Sequence, residues 1–498
     1  MTSFKKYLLF FLYSFFLLLL LSPDSYIYDL YQRCDSAWFF TCGKAWMNGM
    51  VPYVDFADSK GPLLWLIYGC GYLLDHDSYI GVFWISCLFY AVSFAFAYKL
   101  CRLFISKKAS VIVLALLSLF LFYKKYHDEV RAEDFCYPFV FICMYYVCKM
   151  FKGVDRQQLF RLSFAIGICI MCSMFIKWSI TMMMSGFAFV VLYYSLRHKT
   201  LNGIMGGLAG MAVVVLPFLV YFLVQGNLSA FISEYFCNTY STVGKPFKET
   251  LLAYLHGWLT VKKSFILFFV GIILFCRKYK ISYWLIFCLF TFLSIAVYGV
   301  LPYYNTILMP FVIFLFIVLA DWLERKISLT RTKVVFVSLA CLFLGVAFNL
   351  HTERFFVFQD NKYRQSYYDV SQLMAQIEHP KVLFYTYDMG QGVLADALPA
   401  CKYWARQNGA TPAMEQERRA ALKAQKADFI FVGPFDSPFV DVTPQELNEL
   451  HYVCWGKVIG NGSDKFNVYC RKELYKKLPH VQLSTKDLLL KRNPISIK

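Results

Sequence analysis

Two short polar segments carry the side chains of this chain that are best suited to chemistry. The first lies between two apolar runs and contains Asp35, Asp58 and Lys60, and the second spans residues 127–134 and places four acids around Arg131. Carboxylates serve as general bases, and cations stabilise the charge on a leaving phosphate. A carboxylate close to apolar surface is costly unless it is solvated or paired.

Each feature of the first segment has two interpretations. Gly61 and Pro62 follow Lys60 and predict the start of a helix, because proline is tolerated in a first turn. The helix dipole favours anions there, so Lys60 and free backbone N–H groups predict a phosphate site. The alternative is a lysine that extends from an apolar surface to water. Asp35 precedes Ala37-Trp38-Phe39-Phe40, a pattern that predicts an amphipathic helix at the membrane interface. Asp35 is either functional or an ordinary surface aspartate.

The second segment allows the same choice. Glu129 and Glu133 are four residues apart and would share a helical face, with Arg131 off it. These residues and Asp134 predict either a polar site between two helices or a solvated turn that caps the helix starting at Phe135. Weaker candidates occupy other turns on the same side of the chain: Lys177, Tyr303 and Tyr304.

The composition predicts a polytopic membrane protein. Hydrophobic residues make up 59% of the 498 residues and charged residues only 16%, against roughly 25% in a soluble domain. Mean hydropathy is +0.49. About eleven transmembrane helices are predicted near 7–22, 78–101, 109–123, 135–151, 159–176, 178–195, 203–223, 264–276, 282–300, 306–323 and 334–350. The segment 62–74 is shorter and predicts a helix at the outer interface.

The distribution of charge argues against a nucleic-acid partner despite the net charge of +18. Lysine and arginine cluster in alternate short gaps between apolar runs, and the carboxylates occupy the other gaps, which is the positive-inside pattern. It predicts a cytoplasmic N-terminus and puts the acidic loops and the C-terminal part outside. The first apolar run could be a cleaved signal peptide, but no small-residue cleavage site follows it, which favours an uncleaved first helix. Cys34 and Cys42 could pair if that face is oxidising.

From about Thr352 the sequence reads as an ordinary soluble domain. Strands are predicted at 381–387, 427–433, 452–459 and 466–471, and helices at 364–378, 411–426 and 443–450. Their alternation favours a small α/β domain. The predicted fold is thus an α-helical polytopic membrane protein, residues 1–350, with a small C-terminal α/β soluble domain outside the membrane, residues 351–498.

Over roughly residues 1–350 the chain resembles the GT-C superfamily of lipid-phosphosugar-dependent glycosyltransferases, which includes protein O-mannosyltransferases and bacterial aminoarabinose transferases. The resemblance rests on Asp35, the Gly49–Tyr53 turn, Asp58-Ser59-Lys60-Gly61-Pro62-Leu63, Arg131-Ala132-Glu133, and Tyr303-Tyr304 with Pro310. Ser36 follows Asp35 where the family often has a second acid, which puts a metal role in doubt. Gly61 replaces the first proline of a Pro-Pro pair.

The resemblance implies a polyprenyl phosphate-linked sugar as donor and a glycan, lipid or protein hydroxyl as acceptor, with one inverting displacement on the extracytoplasmic face. Asp35 would be the base, and Glu133 or Asp134 would orient the acceptor or the cations. The remaining predicted binding residues are Lys60, Asp58, Arg131, Lys177, Tyr303 and Tyr304. No metal ligand set is predicted, and the cofactor requirement is left open.

Two rival functions remain at this stage. A transporter or flippase of lipid-linked sugars would place its ionisable residues near the bilayer midplane, often in repeated halves. Here most charges lie at the predicted outer surface, which favours the enzyme. A glycan polymerase or ligase would use the same donors and differ mainly in the acceptor. The predicted location is the cytoplasmic membrane of a bacterium.

Overall fold

The protein is described here by a computed structural model, and the chain falls into two compact units. The first, the helical unit, comprises Met1–Ser25, Trp84–Val224 and Gly244–Phe355, and the second, the mixed unit, comprises Tyr26–Phe83, Gln225–Val243 and Phe356–Lys498. The structure describes residues 3–22, 24–25, 34–76, 78–122, 130–238, 262–281, 302–350, 370–386, 389–406, 410–435, 437, 440–460, 463–478 and 490–491.

Long apolar helices build the helical unit. They are α1 (Ser3–Leu21), α4 (Ile80–Cys101, whose first turn belongs to the mixed unit), α5 (Lys107–Leu121), α6 (Tyr137–Met150), α7 (Arg156–Ile176), α8 (Trp178–Arg197), α9 (Asn202–Val224), α11 (Lys262–Tyr279), α12 (Ile313–Lys326) and α13 (Arg331–Leu350). A 3₁₀ segment, Pro302–Val312, leads into α12. Their apolar residues are spread around the helix, as expected for helices surrounded by lipid or by one another.

Six helical segments in the described ranges are long and apolar enough to cross a membrane. They are Phe4–Leu21, Ile80–Cys101, Arg156–Ile176, Trp178–Arg197, Asn202–Val224 and Thr306–Lys326. Helices occur at ten of the eleven predicted spans, while the segment 282–300 lies outside the described residues. The helical membrane architecture is confirmed, and the number of spans stays a prediction.

Glycines bring α7 and α9 into close contact. A Cβ at Gly206 or Gly210 would collide with carbonyl groups of α7, and one at Gly167 would collide with α9. Small residues of this kind allow two helix backbones to approach closely in membranes. The contact fixes α7, whose C-terminal end carries Lys177.

In the mixed unit, two short helices from the first loop region are packed together. They are α2 (Asp35–Met47) and α3 (Pro62–Leu74). Gly43 allows the contact, because a Cβ there would lie 2.6 Å from Trp65 O of α3. The helix predicted at 62–74 is therefore present. The pattern around Asp35 suggested an interfacial helix with one exposed face, whereas every residue from Ser36 to Ala45 is buried.

A six-stranded sheet forms the other part of the mixed unit, in the order β2-β1-β3-β5-β4-β6. Its strands are β1 (Lys381–Tyr385), β2 (Leu398–Pro399), β3 (Phe429–Val432), β4 (Tyr452–Gly460), β5 (Ser463–Arg471) and β6 (Leu490–Lys491). β1 runs parallel to β2 and β3, and β5 runs antiparallel to β3 and β4. All four predicted strands are present, and their apolar side chains form the core of this unit.

Short helices complete the mixed unit. They are α10 (Leu228–Phe231), a π-helix (Ile232–Asn238), α14 (Gly390–Leu394), α15 (Pro412–Lys423), α16 (Pro444–Glu449) and α17 (Lys472–Lys477). α15 and α16 match the predicted helices at 411–426 and 443–450. Of the helix predicted at 364–378, residues 370–374 are helical and residues 364–369 lie outside the described residues. Thr411 and Thr443 cap α15 and α16 by accepting a backbone N–H.

Cys34 and Cys42 do not form the disulfide that the sequence allowed. Both are free thiols. Cys34 precedes α2 and Cys42 lies two turns into it, so a helical rise of about 1.5 Å per residue separates them by roughly 12 Å. A disulfide requires Cα atoms within about 7 Å, so the helix itself prevents this pairing.

Candidate active site

Asp35 is the first residue of α2, where the helix dipole favours a negative side chain. It is half-buried, while the turns that follow it are fully buried. Trp38 packs against Trp404, with ring centroids 5.5 Å apart, and Phe39 packs against Tyr68 of α3. Aromatic packing within the mixed unit therefore fixes the helix that presents this carboxylate.

Lys60 and Asp58 form a pair at the N-terminus of α3. Lys60 Nζ lies 3.5 Å from Asp58 Oδ2, and Asp58 Oδ1 accepts the backbone N–H of Ser59 at 2.6 Å. Gly61 is the N-cap in an extended conformation, and Pro62 begins the helix, as the sequence predicted. The structure thus brings these two predicted residues together.

Asp35 and Lys60 lie on the same side of α2. Lys60 Nζ is 5.4 Å from the centroid of the Phe39 ring. Phe39 is four residues after Asp35, and residues at this spacing share one helical face. Lys60 therefore contacts the face of α2 on which Asp35 lies, and a carboxylate and a cation on one face suit base catalysis beside a bound phosphate.

Tyr53 fixes the loop that carries Lys60. Its side chain is fully buried, its φ is +66°, and its hydroxyl donates to Lys60 O at 3.1 Å. The ring packs against Trp65 at 4.8 Å and Phe231 at 5.3 Å. Burial raises the pKa of Tyr53 well above its usual value, so the hydroxyl remains a donor. The Gly49–Tyr53 turn was recognised in the sequence, but not this role of its tyrosine.

The second polar segment forms a buried cluster in the helical unit. Lys177 Nζ lies 2.5 Å from Glu133 Oε1. Asp134 accepts the Tyr90 hydroxyl at 2.7 Å and the Arg131 backbone N–H at 2.8 Å. The four predicted residues Arg131, Glu133, Asp134 and Lys177 are each at most 8% exposed. This burial argues against the alternative of a solvated turn.

The cluster combines two cations with two carboxylates away from water. Buried charges at this depth need partners, and in membrane proteins such groups tend to be functional. Lys177 is the residue between α7 and α8, with extended backbone, so its side chain comes from a break in the helical path. A cation held in this way is suited to binding an anionic group.

Three predicted residues cannot be placed in the site. Tyr303 and Tyr304 belong to the 3₁₀ segment, but their side chains lie outside the described residues, as does Glu129. Their roles stay predictions. Within the described ranges, no group of three or more His, Cys, Asp or Glu side chains is placed to hold a metal ion.

Sequence reasoning missed a set of polar contacts in the mixed unit. Lys44 is fully buried in α2 and donates to Gly392 O at 2.9 Å. Glu234, in the π-helix, accepts the Tyr403 hydroxyl at 2.9 Å and forms an ion pair with Lys402. Single π turns are frequent at functional sites. A charge within an apolar run, as at Lys44, was the signal available in the sequence.

Comparisons with known proteins agree with the fold and match part of the chain to one family model. A family model for dolichyl-phosphate-mannose-protein mannosyltransferase matches residues 59–231. The crystal structure of ArnT from Cupriavidus metallidurans in the apo state matches with a TM-score of 0.60 at 12% identity, covering 95% of this chain and 99% of that chain. ArnT bound to undecaprenyl phosphate matches with a TM-score of 0.57 at 11% identity, covering 94% and 98%. No curated protein matches the sequence.

The family match and the structural likeness have different weight. At 11–12% identity, the likeness to ArnT shows a shared fold along nearly the whole chain. The family match includes Lys60, Arg131, Glu133 and Lys177, and begins after Asp35. Together they confirm the resemblance inferred from the first-loop motif. The chain is therefore a multi-pass membrane protein with the fold of ArnT, and residues 59–231 match a glycosyltransferase family model.

Proposed function

We propose that this enzyme transfers a sugar from a polyprenyl phosphate-linked donor to an acceptor hydroxyl by a single inverting displacement. The observation that carries the proposal is the presentation of Asp35 and Lys60 on one side of α2. The family model is named for a dolichyl phosphate sugar donor, and ArnT has been crystallised with undecaprenyl phosphate. Both names support a polyprenyl phosphate carrier here.

In the proposed reaction, the acceptor oxygen attacks the anomeric carbon from the side opposite the phosphate. The bond from that carbon to the phosphate oxygen breaks, and its electron pair leaves with the polyprenyl phosphate. Asp35 takes the hydroxyl proton as the new bond forms. Because the attack and departure occur on opposite faces, the configuration at the anomeric carbon is inverted.

Cations rather than a general acid assist the departure. A phosphate leaves as a stable anion, and its growing negative charge is stabilised by fixed positive groups. We assign this role to Lys60 and Arg131, and we assign Asp58 to orienting Lys60, to which it is bound at 3.5 Å. Desolvation strengthens such interactions compared with water.

The buried cluster of the helical unit has a positioning role in this proposal. Glu133 and Asp134 orient the acceptor or the cations, and Lys177 contributes a further positive charge. Tyr303 and Tyr304 are assigned to substrate binding on the strength of the family resemblance alone. No metal is assigned.

The proposed site faces the outside of the cytoplasmic membrane. The support is the charge pattern, with lysine and arginine in alternate gaps and carboxylates in the others. The N-terminus is then cytoplasmic, and residues 351–498 are an extracytoplasmic domain. The acceptor, whether a glycan, a lipid or a protein, approaches from that side.

Replacing Asp35 with asparagine tests the mechanism. Membranes containing the full-length protein are given a polyprenyl phosphate sugar, and both donor binding and sugar transfer are measured. Loss of a general base typically costs 10²–10⁴-fold in rate, so transfer should fall by about that factor while donor binding persists. Asp75→Asn is the matched control, because Asp75 lies at the end of α3, accepts the Ser78 hydroxyl and has no part in the proposed site.

Transfer by Asp35→Asn near the wild-type rate would exclude the proposed base. A transporter gives a different result, since it would move the labelled lipid between leaflets without forming product. A polymerase or ligase gives product whose acceptor is another glycan. Product analysis by mass spectrometry therefore separates the three functions.

A further inference from the structure

A polar cleft with no role in the proposed mechanism opens in the mixed unit. It has a volume of about 570 Å³. One wall comes from the first loop, at Met50, Val54 and Asp55, and the other comes from the end of β2 and from α15. Small apolar residues, among them Ala420, also line the cleft. The cleft is large enough for a polar group of a substrate.

Three lysines and two acids line this cleft: Lys381, Lys402, Lys426, Asp55 and Glu417. Asp55 accepts the Val51 N–H at 2.7 Å. The Glu417 carboxylate interacts electrostatically with Lys402 and Lys426. Lys402 is in an ion pair with Glu234. The carboxylates of the cleft and one of its lysines are therefore used within the protein.

The other two lysines are differently placed. Lys381 is half-buried at the start of β1, and its Nζ contacts the Met50 sulfur at 3.9 Å. Burial lowers the pKa of Lys381, and the nearby carboxylates of Asp428 and Asp55 act in the opposite direction. Lys426 lies on the other side of the cleft and is more open to solvent. The ammonium groups of Lys381 and Lys426 line the same cleft, where a bound anion could accept hydrogen bonds from both in place of water.

We propose that this cleft binds an oxyanion of the acceptor, a phosphate or a carboxylate, while the sugar donor is held elsewhere. This inference rests on the proposed function and specifies its acceptor as an anionic molecule. The first loop carries both the cleft wall and Lys60, which the mechanism assigns to the donor phosphate. An acceptor fixed beside Asp55 is therefore bound by the same loop that holds the donor.

The first test is anion binding to full-length protein in detergent, with inorganic pyrophosphate and citrate as probes in titration calorimetry. Lys60→Gln is present throughout to weaken the proposed donor site. Lys381→Gln and Lys426→Gln should each weaken binding about tenfold, because each removes one charge-assisted contact. Glu417→Gln should strengthen it severalfold, and exposed Lys423→Gln, on α15 outside the cleft, should not change it.

The signs of these effects decide the outcome. Weaker binding in the lysine variants with stronger binding in Glu417→Gln supports an oxyanion site, and higher salt should lower the affinity. Binding of pyrophosphate alone identifies phosphate, and binding of both probes identifies a general oxyanion site. Absence of binding to either probe, or equal effects of Lys423→Gln and Lys381→Gln, overturns the proposal.

A second measurement does not depend on the affinity of the variants. Pyridoxal phosphate, fixed with borohydride, should label Lys381 and Lys426 in the wild-type protein, and pyrophosphate should protect both but not Lys423. Uniform labelling without protection would contradict the site. If Asp35→Asn keeps its transfer activity while protection persists, the proposed mechanism fails and the anion site stands. If Asp35→Asn is inactive and the lysines stay unprotected, the mechanism stands and the anion site fails.

Discussion

Replacing the buried Lys44 with methionine is expected to loosen α2 from the C-terminal part of the mixed unit. The Lys44 side chain is 0% exposed, its ammonium donates to Gly392 O at 2.9 Å, and it lies 3.6 Å from Asp396 Oδ1. Methionine keeps most of the apolar length of lysine but has no charge and no donor. The variant therefore removes the hydrogen bond to Gly392 O and the ion pair with Asp396, with little change in side-chain volume.

The magnitude follows from what the substitution leaves behind. Removing one partner of a fully buried ion pair costs about 3–5 kcal/mol. Asp396 is 29% exposed and keeps His379 Nδ1 at 3.0 Å, so its charge is partly solvated and the cost is lower. Gly392 O also loses its donor, which costs about 1 kcal/mol. We expect a total of roughly 2 kcal/mol, about a thirtyfold change in the local opening equilibrium.

Hydrogen exchange measured by mass spectrometry on the full-length protein in detergent reads this opening directly. Amides of α2 and α14 should exchange about thirtyfold faster in Lys44→Met, because exchange follows the free energy of local opening. Peptides from α7, in the helical unit, serve as the internal reference. The matched variant is Asp396→Asn, since asparagine tolerates the φ of +50° found at this position.

The double variant tests the pairing itself. If Lys44 and Asp396 interact as described, the effect of Lys44→Met and Asp396→Asn together is smaller than the sum of the two. Exchange in α2 within threefold of the wild type, or strictly additive effects, would refute the assignment of this buried pair.

Three further outcomes follow from the geometry. Gly43→Ala should lower the unfolding free energy by about 3 kcal/mol or more, because its Cβ would lie 2.6 Å from a backbone oxygen of α3. Gly49→Ala, at φ +84° in open space, should lower it by about 1–2 kcal/mol. Denaturant titrations measure both values. Lys177→Met leaves Glu133 buried without its 2.5 Å partner and should lower stability by about 3 kcal/mol, with Glu133→Gln in the same background restoring part of it. Burial raises the pKa of Glu417 in the folded protein. The stability of the wild type relative to Glu417→Gln should therefore fall as pH rises from about 4 through that raised pKa, because the unfolded chain loses this proton first. Melting temperatures of the two proteins that change in parallel from about pH 3.5 to 7 would contradict this.

Apolar periodicity and charge were sufficient to predict most helices and strands. Ten predicted spans coincide with helices, and the helix at Pro62–Leu74 was predicted to the residue. Its start is encoded locally, because Gly61 and Pro62 supply an extended N-cap and a first-turn proline. The pairing of Asp58 with Lys60 is similarly local, since the two residues are almost adjacent in the chain.

Contacts between distant parts of the chain were beyond sequence reasoning. The pattern around Asp35 predicted a helix with one solvent-exposed face. Instead, α2 is buried by residues such as Trp404, which lies far away in the sequence. The link between Glu133 and Lys177 crosses 44 residues and two helices. Single-sequence patterns report which residues are apolar, but not which surfaces cover them.

The mixed unit is assembled from three separated stretches of sequence, and this has a consequence for biogenesis. Lys44 finds its acceptor 348 residues later, at Gly392. A ribosome that has released the first loop must still deliver most of the chain before α2 can be enclosed, and contacts of such separation form slowly. The C-terminal part of the chain, from residue 356 on, thus holds α2 in place. Truncating the protein before this part should leave an inactive, protease-sensitive product.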